Sequence, residues 1–327
     1  MNALLGSALG GAVATLDRLG PARLSVLIFH RVTPRSDPLF PLEMHARRFD
    51  ALMGQIARAF TVMTIGQAHA RWRAGSLPRR ALSITFDDGY ADNAEVALPI
   101  LRQHGLAATF FVATGYLDGG RMWNDSVIET LRACRLERID LSALGLGSVE
   151  LTGAASRRAA IDAVLPVIKY RSLTERAQAL ALLAQACGNP PLPADLMMRS
   201  AQVRELHAAG MEIGGHTVRH PILTESEDAD ARREILDGRD ALRALTGAPV
   251  KVFAYPNGRP HRDYDQRHVQ MVREAGFDCA VSTAVGTVGP QADALQWPRF
   301  TPWDLDDRAW LARLTLTRYR SGHGNTV

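Results

Sequence analysis

The sequence contains little cysteine, and the residues present form no recognisable motif. Cysteine occurs among the 327 residues only at Cys134, Cys187 and Cys279. The number is odd, the spacing is wide and no Cys-x-x-Cys pair is present, so the sequence favours neither a disulfide framework nor a thiolate zinc site. We interpret the three as ordinary core or surface thiols, which agrees with a cytoplasmic location without establishing it.

The sequence also lacks an apolar run long enough to cross a bilayer, which needs about 20 residues. Residues 1–20 are rich in alanine, glycine and leucine and carry no basic region at their start, which disfavours a secretory signal. Their larger apolar residues share one helical face, at Leu5, Leu9, Val13 and Leu16. We predict a peripheral helix over residues 1–21 that docks on the rest of the protein. Peripheral membrane contact through residues 1–20 is the alternative, and export stays open as a third.

Dense blocks of positive charge are absent as well, although the formal net charge is +4. Most of this charge comes from dispersed arginine without interleaved aromatic residues, so we predict no nucleic-acid partner. The composition is that of an ordinary globular protein, with 46% hydrophobic and 22% charged residues. The length suffices for one large α/β domain or two smaller ones. Nothing in the sequence indicates an oligomeric state.

The sequence does contain an apolar run that ends at two adjacent carboxylates. Residues 81–90 read Ala-Leu-Ser-Ile-Thr-Phe-Asp-Asp-Gly-Tyr, which predicts a buried strand with Asp87 and Asp88 at its carboxyl end. Gly89 permits a backbone turn that is closed to most other residues. Because two carboxylates this close repel each other, a metal ion is the strongest available compensation. A solvated turn is the alternative.

A second apolar run, residues 24–29, delivers His30 at its end. A histidine there can be purely structural, but the carboxyl ends of parallel strands are where α/β sheets and barrels place their sites. Strand and helix patterns alternate before residue 115 and again after residue 200, which predicts a parallel sheet or barrel. Between them, about residues 118–196 predict a mainly helical insertion in a single domain over residues 22–327. Residues 123–125 are candidates for substrate contact, with simple packing as the alternative.

Two histidines four residues apart follow a Gly-Gly pair in the segment His216-Thr-Val-Arg-His220. If this segment forms one helical turn, both imidazoles point to one side and can bind one divalent ion. Two histidines and one carboxylate leave coordination positions open for water and substrate, as in catalytic zinc sites. Together with the aspartates, the segment predicts a catalytic metal centre.

These two motifs, Thr85-Phe-Asp-Asp-Gly89 and His216-Thr-Val-Arg-His220, resemble those of the polysaccharide deacetylases, the carbohydrate esterase family 4 group with the NodB homology domain. The resemblance covers about residues 24–303 apart from the insertion. It implies a distorted (β/α)7-type barrel with one divalent metal ion, zinc being the expected one. It also implies removal of N-acetyl groups from an N-acetylhexosamine-containing polysaccharide or oligosaccharide, in exopolysaccharide or cell-envelope metabolism.

The resemblance assigns roles to the motif residues. Asp87 corresponds to the catalytic base, and Asp88, with His216 and His220, corresponds to the metal ligands. The third family motif departs from its usual Arg-x-Pro-Tyr form, since Ala254 stands where the arginine that orients the base is expected. Arg299 is our candidate for that orienting role, with a structural ion pair as the alternative.

The altered third motif, Ala254-Tyr-Pro-Asn-Gly258, resembles that of exopolysaccharide-type deacetylases, in which a permuted strand order supplies the histidine motif from the N-terminal end. Leu27-Ile-Phe-His-Arg31 is similar to that motif, which implies that His30 is the general acid. The same match implies that the backbone N–H of Asn257 helps to hold the oxyanion. Its neighbours Tyr255 and Pro256 are then expected at the substrate.

Amide hydrolysis requires a base, an acid and oxyanion stabilisation independently of the resemblance. Asp87, beside a metal ligand, can accept a proton from water, and a protonated His30 can give one to the departing amine. Two other functions stay open. One is a non-catalytic carbohydrate-binding barrel, and the other is a metallohydrolase that acts on a different C–N or ester bond.

Overall fold

The computed structural model describes residues 22–302, 313–314 and 326–327. The helix predicted over residues 1–21 lies outside this range, so that helix and the division of the chain into domains stay predictions. Among the described helices, none combines the length and the apolar character needed to cross a bilayer.

A mostly parallel sheet forms the centre of the structure. The strands are β1 (Leu24–Phe29), β2 (Thr61–Val62), β3 (Ala81–Phe86), β4 (Thr109–Val112), β5 (Arg138–Asp140), β6 (Ser148–Glu150), β7 (Glu212–Gly215), β8 (Val252–Ala254), β9 (Cys279–Val285) and β10 (Trp297–Arg299). The order in the sheet is β1-β3-β4-β7-β8-β9-β10, with parallel neighbours, and β2 pairs with β3 off this path. Phe300 exchanges backbone hydrogen bonds with Val26 and Ile28 of β1. This contact nearly closes the sheet into the barrel that the motifs implied.

The alternation in β3 reflects two differently filled faces. Leu82, Ile84 and Phe86 belong to the main apolar cluster, whereas Ser83 and Thr85 are buried on the opposite face. The rings of Phe86 and Phe110 stack 4.6 Å apart across neighbouring strands. Burying each large apolar side chain contributes about 1.5–3 kcal/mol, so this stack anchors the strand whose end carries the aspartates.

Helices cover the sheet and form most of the insertion. They are α1 (Ala46–Ala59), α2 (Ile65–Arg73), α3 (Leu98–Gln103), α4 (Trp123–Ala133), α5 (Ala154–Lys169), α6 (Leu173–Ala186), α7 (Ser200–Ala208), α8 (Asp228–Thr246) and α9 (Gln266–Glu274). The chain enters α3 through a π-helical turn, Asn93–Ala97.

The insertion has an apolar cluster of its own, in which α4, α5 and α6 bury Val127, Ile161 and Leu183. The insertion was predicted to be mainly helical, and besides its helices it contains one antiparallel pair of short strands, β5 and β6. Strands of three residues are too short to show an alternating pattern. Arg132 of α4 donates to both carboxylate oxygens of Asp37, at 3.0 and 2.6 Å, and so joins the insertion to the loop that follows β1.

Candidate active site

The carboxyl ends of β1 and β3 bring His30 and Asp87 to the same edge of the sheet. The strands are parallel and in register, with Phe29 opposite Phe86, and the N–H of Asp87 donates to the Phe29 carbonyl at 2.9 Å. Asp88 then adopts a left-handed conformation with φ of 76°. The two adjacent aspartates therefore have separate partners.

Asp88, His216 and His220 converge in one buried cluster. Oδ1 of Asp88 lies 3.3 Å from Nε2 of His216 and 3.4 Å from Nε2 of His220. One potential ligand atom from each residue lies within 4.8 Å of the others. Within the described residues, this carboxylate oxygen has no hydrogen-bond partner. A buried oxygen without a donor that faces two imidazole nitrogens is an arrangement that a divalent cation satisfies.

The segment with the two histidines is not the helical turn considered from the sequence. After β7 the chain forms an irregular bend in which Thr217 and His220 adopt left-handed conformations, with φ of 64° and 52°. Oγ1 of Thr217 accepts a hydrogen bond from the N–H of His220 at 3.1 Å and donates to the His216 carbonyl. The threonine hydroxyl, rather than helical periodicity, therefore holds the imidazole rings 4.7 Å apart.

Residues of α8 that the sequence analysis missed hold this bend in place. The buried carboxylate of Glu234, in α8, accepts hydrogen bonds from the N–H groups of residues 218–219 at 2.9 and 2.7 Å. A Cβ at Gly238 would lie 2.8 Å from the Thr217 carbonyl, and one at Gly115 would lie equally close to the next carbonyl. Both close approaches require glycine. The sequence signal that could have indicated this contact is a glycine inside an otherwise regular helical pattern, that of α8.

The tautomer of His216 and the protonation states of Asp88 and His220 suit metal binding. Burial by itself would lower the pKa of His216, but the Asp88 and Asp87 carboxylates outweigh it and raise that pKa. Nδ1 of His216 donates to the Ala254 carbonyl at 2.7 Å, an assignment that follows from a partner able only to accept, and this leaves Nε2 free to act as a ligand. Burial lowers the pKa of His220 to about 3, in spite of the Asp88 carboxylate. Burial alone would raise the pKa of Asp88, but the two imidazoles outweigh it and lower that pKa strongly. A neutral imidazole and an ionised carboxylate are the ligand forms.

Arg299, in β10, makes a bidentate contact with Asp87. Nη1 and Nη2 donate to the two carboxylate oxygens at 2.7 Å each, and both side chains are buried. Nε of the same guanidinium donates to the Ser282 carbonyl at 2.8 Å, which fixes its plane. Burial by itself would raise the pKa of Asp87, but Arg299 reverses the shift and lowers it. A guanidinium therefore contacts Asp87 from β10 and not from position 254.

His30 lies half-buried near the two aspartates. Its charge is among those that counter the effect of burial on the pKa of both carboxyls. Nδ2 of Asn93 donates to the His30 carbonyl at 2.8 Å, and Asp92 accepts hydrogen bonds from residues 31–32 at 2.8 and 3.1 Å. Asp92 and Asn93, which the sequence analysis did not single out, therefore fix the turn that carries the imidazole.

The predicted oxyanion segment is only partly available to a substrate. Asn257 is half-exposed with φ of 58°, and its backbone N–H has no partner in the described part of the chain. Thr283 fixes this residue by donating to its carbonyl at 2.7 Å. Tyr255 is fully buried, and its N–H donates to the Val281 carbonyl at 3.2 Å. Tyr255 and the buried Pro256 therefore shape the turn and leave Asn257 as the accessible donor of the three.

Polar residues at the start of α4 border the site. Nδ2 of Asn124 lies 3.4 Å from the Tyr90 hydroxyl, two residues beyond the metal-compatible aspartate. Burial raises the pKa of Asp125 to about 7, although Arg31 and Tyr90 oppose the shift. Trp123 packs in the apolar cluster of the insertion. The start of α4 thus combines a packing aromatic residue, as the alternative interpretation held, with two polar groups near the site.

Comparison with solved structures shows the same fold. The Streptococcus pyogenes deacetylase PplD, in complex with acetate, has a TM-score of 0.61 at 18% identity, over 90% of this chain and 99% of that one. IcaB from Ammonifex degensii gives 0.58 at 20% identity, over 91% and 97%. The BpsB deacetylase domain from Bordetella bronchiseptica gives 0.54 at 18% identity, over 86% and 96%. The predicted distorted barrel is thereby confirmed.

Comparison of sequences identifies the family. The chain is 30% identical over 94 residues to YxkH of Bacillus subtilis (strain 168), a protein provisionally described as a polysaccharide deacetylase. This match spans 28% of the chain and about a third (32%) of the length of YxkH. The family model described as polysaccharide deacetylase matches residues 74–142 and 152–280, which is more than half of the chain. The motifs, the barrel and this match agree: the chain belongs to the polysaccharide deacetylase family of enzymes.

Proposed function

We propose that the protein is a metal-dependent hydrolase that removes N-acetyl groups from an N-acetylhexosamine-containing polysaccharide or oligosaccharide, in exopolysaccharide or cell-envelope metabolism. The observation that carries the proposal is the position of Asp87, held by Arg299, next to the cluster of Asp88 and two histidines. A structural metal site has no need of a second, separately oriented carboxylate. Hydrolysis of an amide does need one, as the base for water.

The cluster is the proposed metal site. Its two imidazole nitrogens and one carboxylate oxygen suit Zn²⁺, which is the ion we propose, and leave positions open for substrate and water. When bound there, a divalent ion polarises the acetyl carbonyl and makes water more acidic.

Asp87 acts as the base that accepts the proton of the attacking water. Because Arg299 lowers its pKa, the carboxylate is ionised at neutral pH. The bidentate contact occupies one lone pair on each oxygen and leaves the others free to accept a proton. Arg299 is therefore a positioning residue, which fixes the direction of those lone pairs and does not itself touch the substrate.

Asn257 and His30 complete the chemistry. The backbone N–H of Asn257 donates to the oxyanion that forms when water adds to the acetyl carbon. His30, at the carboxyl end of the neighbouring strand β1, gives a proton to the sugar nitrogen as the C–N bond breaks. Acetate and the free amine are the products.

Acetate release from N-acetylglucosamine oligomers by the purified protein tests this function. We expect release that is abolished by a chelator, restored by Zn²⁺ and lost in Asp87→Asn. A p-nitrophenyl phosphate assay run in parallel serves as the comparison for another metallohydrolase. Phosphate release without acetate release would contradict the proposal, and chelator-resistant acetate release would contradict its metal dependence.

A further inference from the structure

Arg176, in α6 of the insertion, is a buried cation with unused hydrogen-bond donors. It is 4% exposed, and its Cζ lies 4.9 Å from the centre of the Trp123 ring. Nη2 donates to the Lys169 carbonyl at 3.2 Å, whereas Nε and Nη1 find no partner in the part of the chain that the structure describes. Burial lowers the pKa of this guanidinium, and the group that opposes the shift is the Tyr116 phenol, not a carboxylate. Such a buried charge is costly unless a ligand supplies acceptors.

This guanidinium borders the proposed metal site. Trp123, on which it stacks, begins α4, the helix whose next residue approaches Tyr90. The Tyr116 hydroxyl donates to the Arg219 carbonyl, within the bend that carries the two histidines, at 2.8 Å. After burial, the positive charge of Arg176 also contributes to the lowered pKa of His220. Arg176 is therefore close to the place where the acetyl group is hydrolysed.

Three further cations lie on this side of the insertion. Lys169, at the end of α5, accepts the hydrogen bond from Arg176 through its carbonyl. Arg259 and Arg262, in the loop after β8, lie near Lys169. Burial lowers the pKa of Lys169, and the positive charges of the two arginines and of Arg176 lower it further. The carboxylate of Asp263 opposes this shift. The carboxylate of Asp263 is itself engaged by the N–H of Arg259 at 3.0 Å and by the Tyr170 hydroxyl at 3.3 Å. The side between the insertion and the loop that carries Asn257 is thus positively charged.

We propose that Arg176, together with Lys169 and the arginines near it, Arg259 and Arg262, binds an anionic group of the glycan substrate. The group is a carboxylate or a phosphate on a sugar next to the one that is deacetylated. The inference rests on the proposed deacetylation and names its substrate class, an acidic N-acetylated glycan. Acceptor oxygens with negative charge satisfy the free guanidinium donors and offset the buried charge, whereas neutral hydroxyl groups do only the first.

The test compares matched pairs of oligosaccharides that differ in one charge. In one pair, N-acetylglucosamine alternates with glucuronate, and the partner has its carboxylates methyl-esterified. In the other, an N-acetylglucosamine oligomer carries a reducing-end phosphate that its partner lacks. We expect kcat/KM to be at least about 10-fold higher for the charged member of one pair, the usual worth of charge-assisted hydrogen bonds. The pair that shows the preference identifies the source of the anion.

Variants tie this preference to the residue. Arg176→Gln is expected to bring the ratio of charged to neutral kcat/KM close to 1, and Arg176→Lys, which keeps the charge and loses the planar fork, to retain part of it. Arg138→Gln removes the same charge from an exposed, distant side chain of the insertion and should leave the ratio unchanged. If Arg176→Gln does not fold, the anion site is tested by the ratio of charged to neutral kcat/KM in the wild type and by the reduction of that ratio in Arg176→Lys.

Titration calorimetry with the Asp87→Asn protein measures binding of the same pairs without turnover. Tighter binding of a charged member supports the anion site. Equal turnover and equal binding within both pairs overturn it while leaving deacetylation intact. Absence of acetate release from every chain overturns the proposed function instead, and the binding comparison then decides on the anion site alone.

Discussion

Arg299 and Asp87 lie 212 positions apart in the chain and share two hydrogen bonds of 2.7 Å. Neither residue has water to solvate its charge, because both are buried. Each therefore depends on the other, and the contact fixes both the charge of the carboxylate and its orientation.

Arg299→Lys should lower kcat by about 10- to 100-fold with little change in KM. Lysine keeps a charge near Asp87 but cannot hold both oxygens in one plane, so the base loses its orientation rather than its ionisation. Steady-state kinetics on N-acetylated oligosaccharides measure kcat and KM separately. Arg132→Lys alters the other bidentate arginine–aspartate pair described above, away from the site, and should leave kcat near that of the wild type. Equal losses in the two variants would contradict a positioning role.

Metal content should follow the Asp88 cluster. We expect about one divalent ion per chain in the purified protein and a large loss of it in Asp88→Ala and in His216→Ala, because removal of one ligand leaves only two. Inductively coupled plasma mass spectrometry measures the content. His207→Ala, in α7, is the matched histidine control and should retain the ion. Retention of stoichiometric metal after replacement of all three cluster residues would remove the assignment.

His30→Ala should reduce turnover by roughly 10²–10⁴-fold, the usual contribution of a positioned acid or base. Metal content and folding should be unaffected, since the side chain is half-exposed at the strand end. The alkaline limb of the pH–rate profile should change in the variant, because only an imidazolium can protonate the leaving amine. His261→Ala provides the comparison with an exposed histidine. Unchanged turnover and profile in His30→Ala would return His30 to a structural role.

Gly238→Ala should weaken metal binding without much loss of stability. Alanine favours the interior of α8 by roughly 1 kcal/mol over glycine. Its Cβ, however, would lie 2.8 Å from the Thr217 carbonyl and push the bend that carries the histidines. Zinc titration with a competing chelator measures affinity, and we expect a loss of about 10-fold. Gly54→Ala, in α1, meets only flexible side chains and is the control.

Asp37→Asn should destabilise the protein by about 1 kcal/mol at neutral pH, the scale of a partly exposed ion pair. Partial burial alone would raise the pKa of Asp37, but Arg132 and the N–H of Leu39 lower it. A lowered pKa in the folded state means that the stabilisation is fully present above the ordinary aspartate pKa of about 3.9. It disappears as the pH falls through the lowered value. Denaturant unfolding of both proteins should therefore converge in strong acid, and a pH-independent difference would exclude the ion pair as its cause.

Much of the fold could be predicted because its signals are local. The apolar runs that end at His30 and Asp87 mark strands without reference to any other part of the chain. The parallel pairing of β1 and β3 then brings those ends together. The alternation of strands and helices left a parallel sheet and a barrel both open, and the resemblance to the deacetylases implied the barrel.

What could not be predicted depends on contacts between distant segments. No local pattern around Arg299 shows that β10 would bring it to Asp87. The sequence therefore named Arg299 as a candidate but could not show that it contacts the carboxylate. The bend at Thr217 is contacted by Glu234 and Gly238, which belong to a helix that follows the bend in sequence. For the same reason the sequence suggested a helical turn that does not form.

Because Phe300 and Arg299 lie late in the chain, the closure of the barrel against β1 determines when the site can be completed during synthesis. The ribosome delivers His30 and the metal-compatible residues long before β10, and until β10 pairs with β9 the carboxylate of Asp87 has no arginine to orient it. A nascent chain that stops short of residue 297 therefore holds every part of the site except the group that directs its base. In the proposed mechanism, the base can therefore be oriented only once β10 has joined the sheet beside β9.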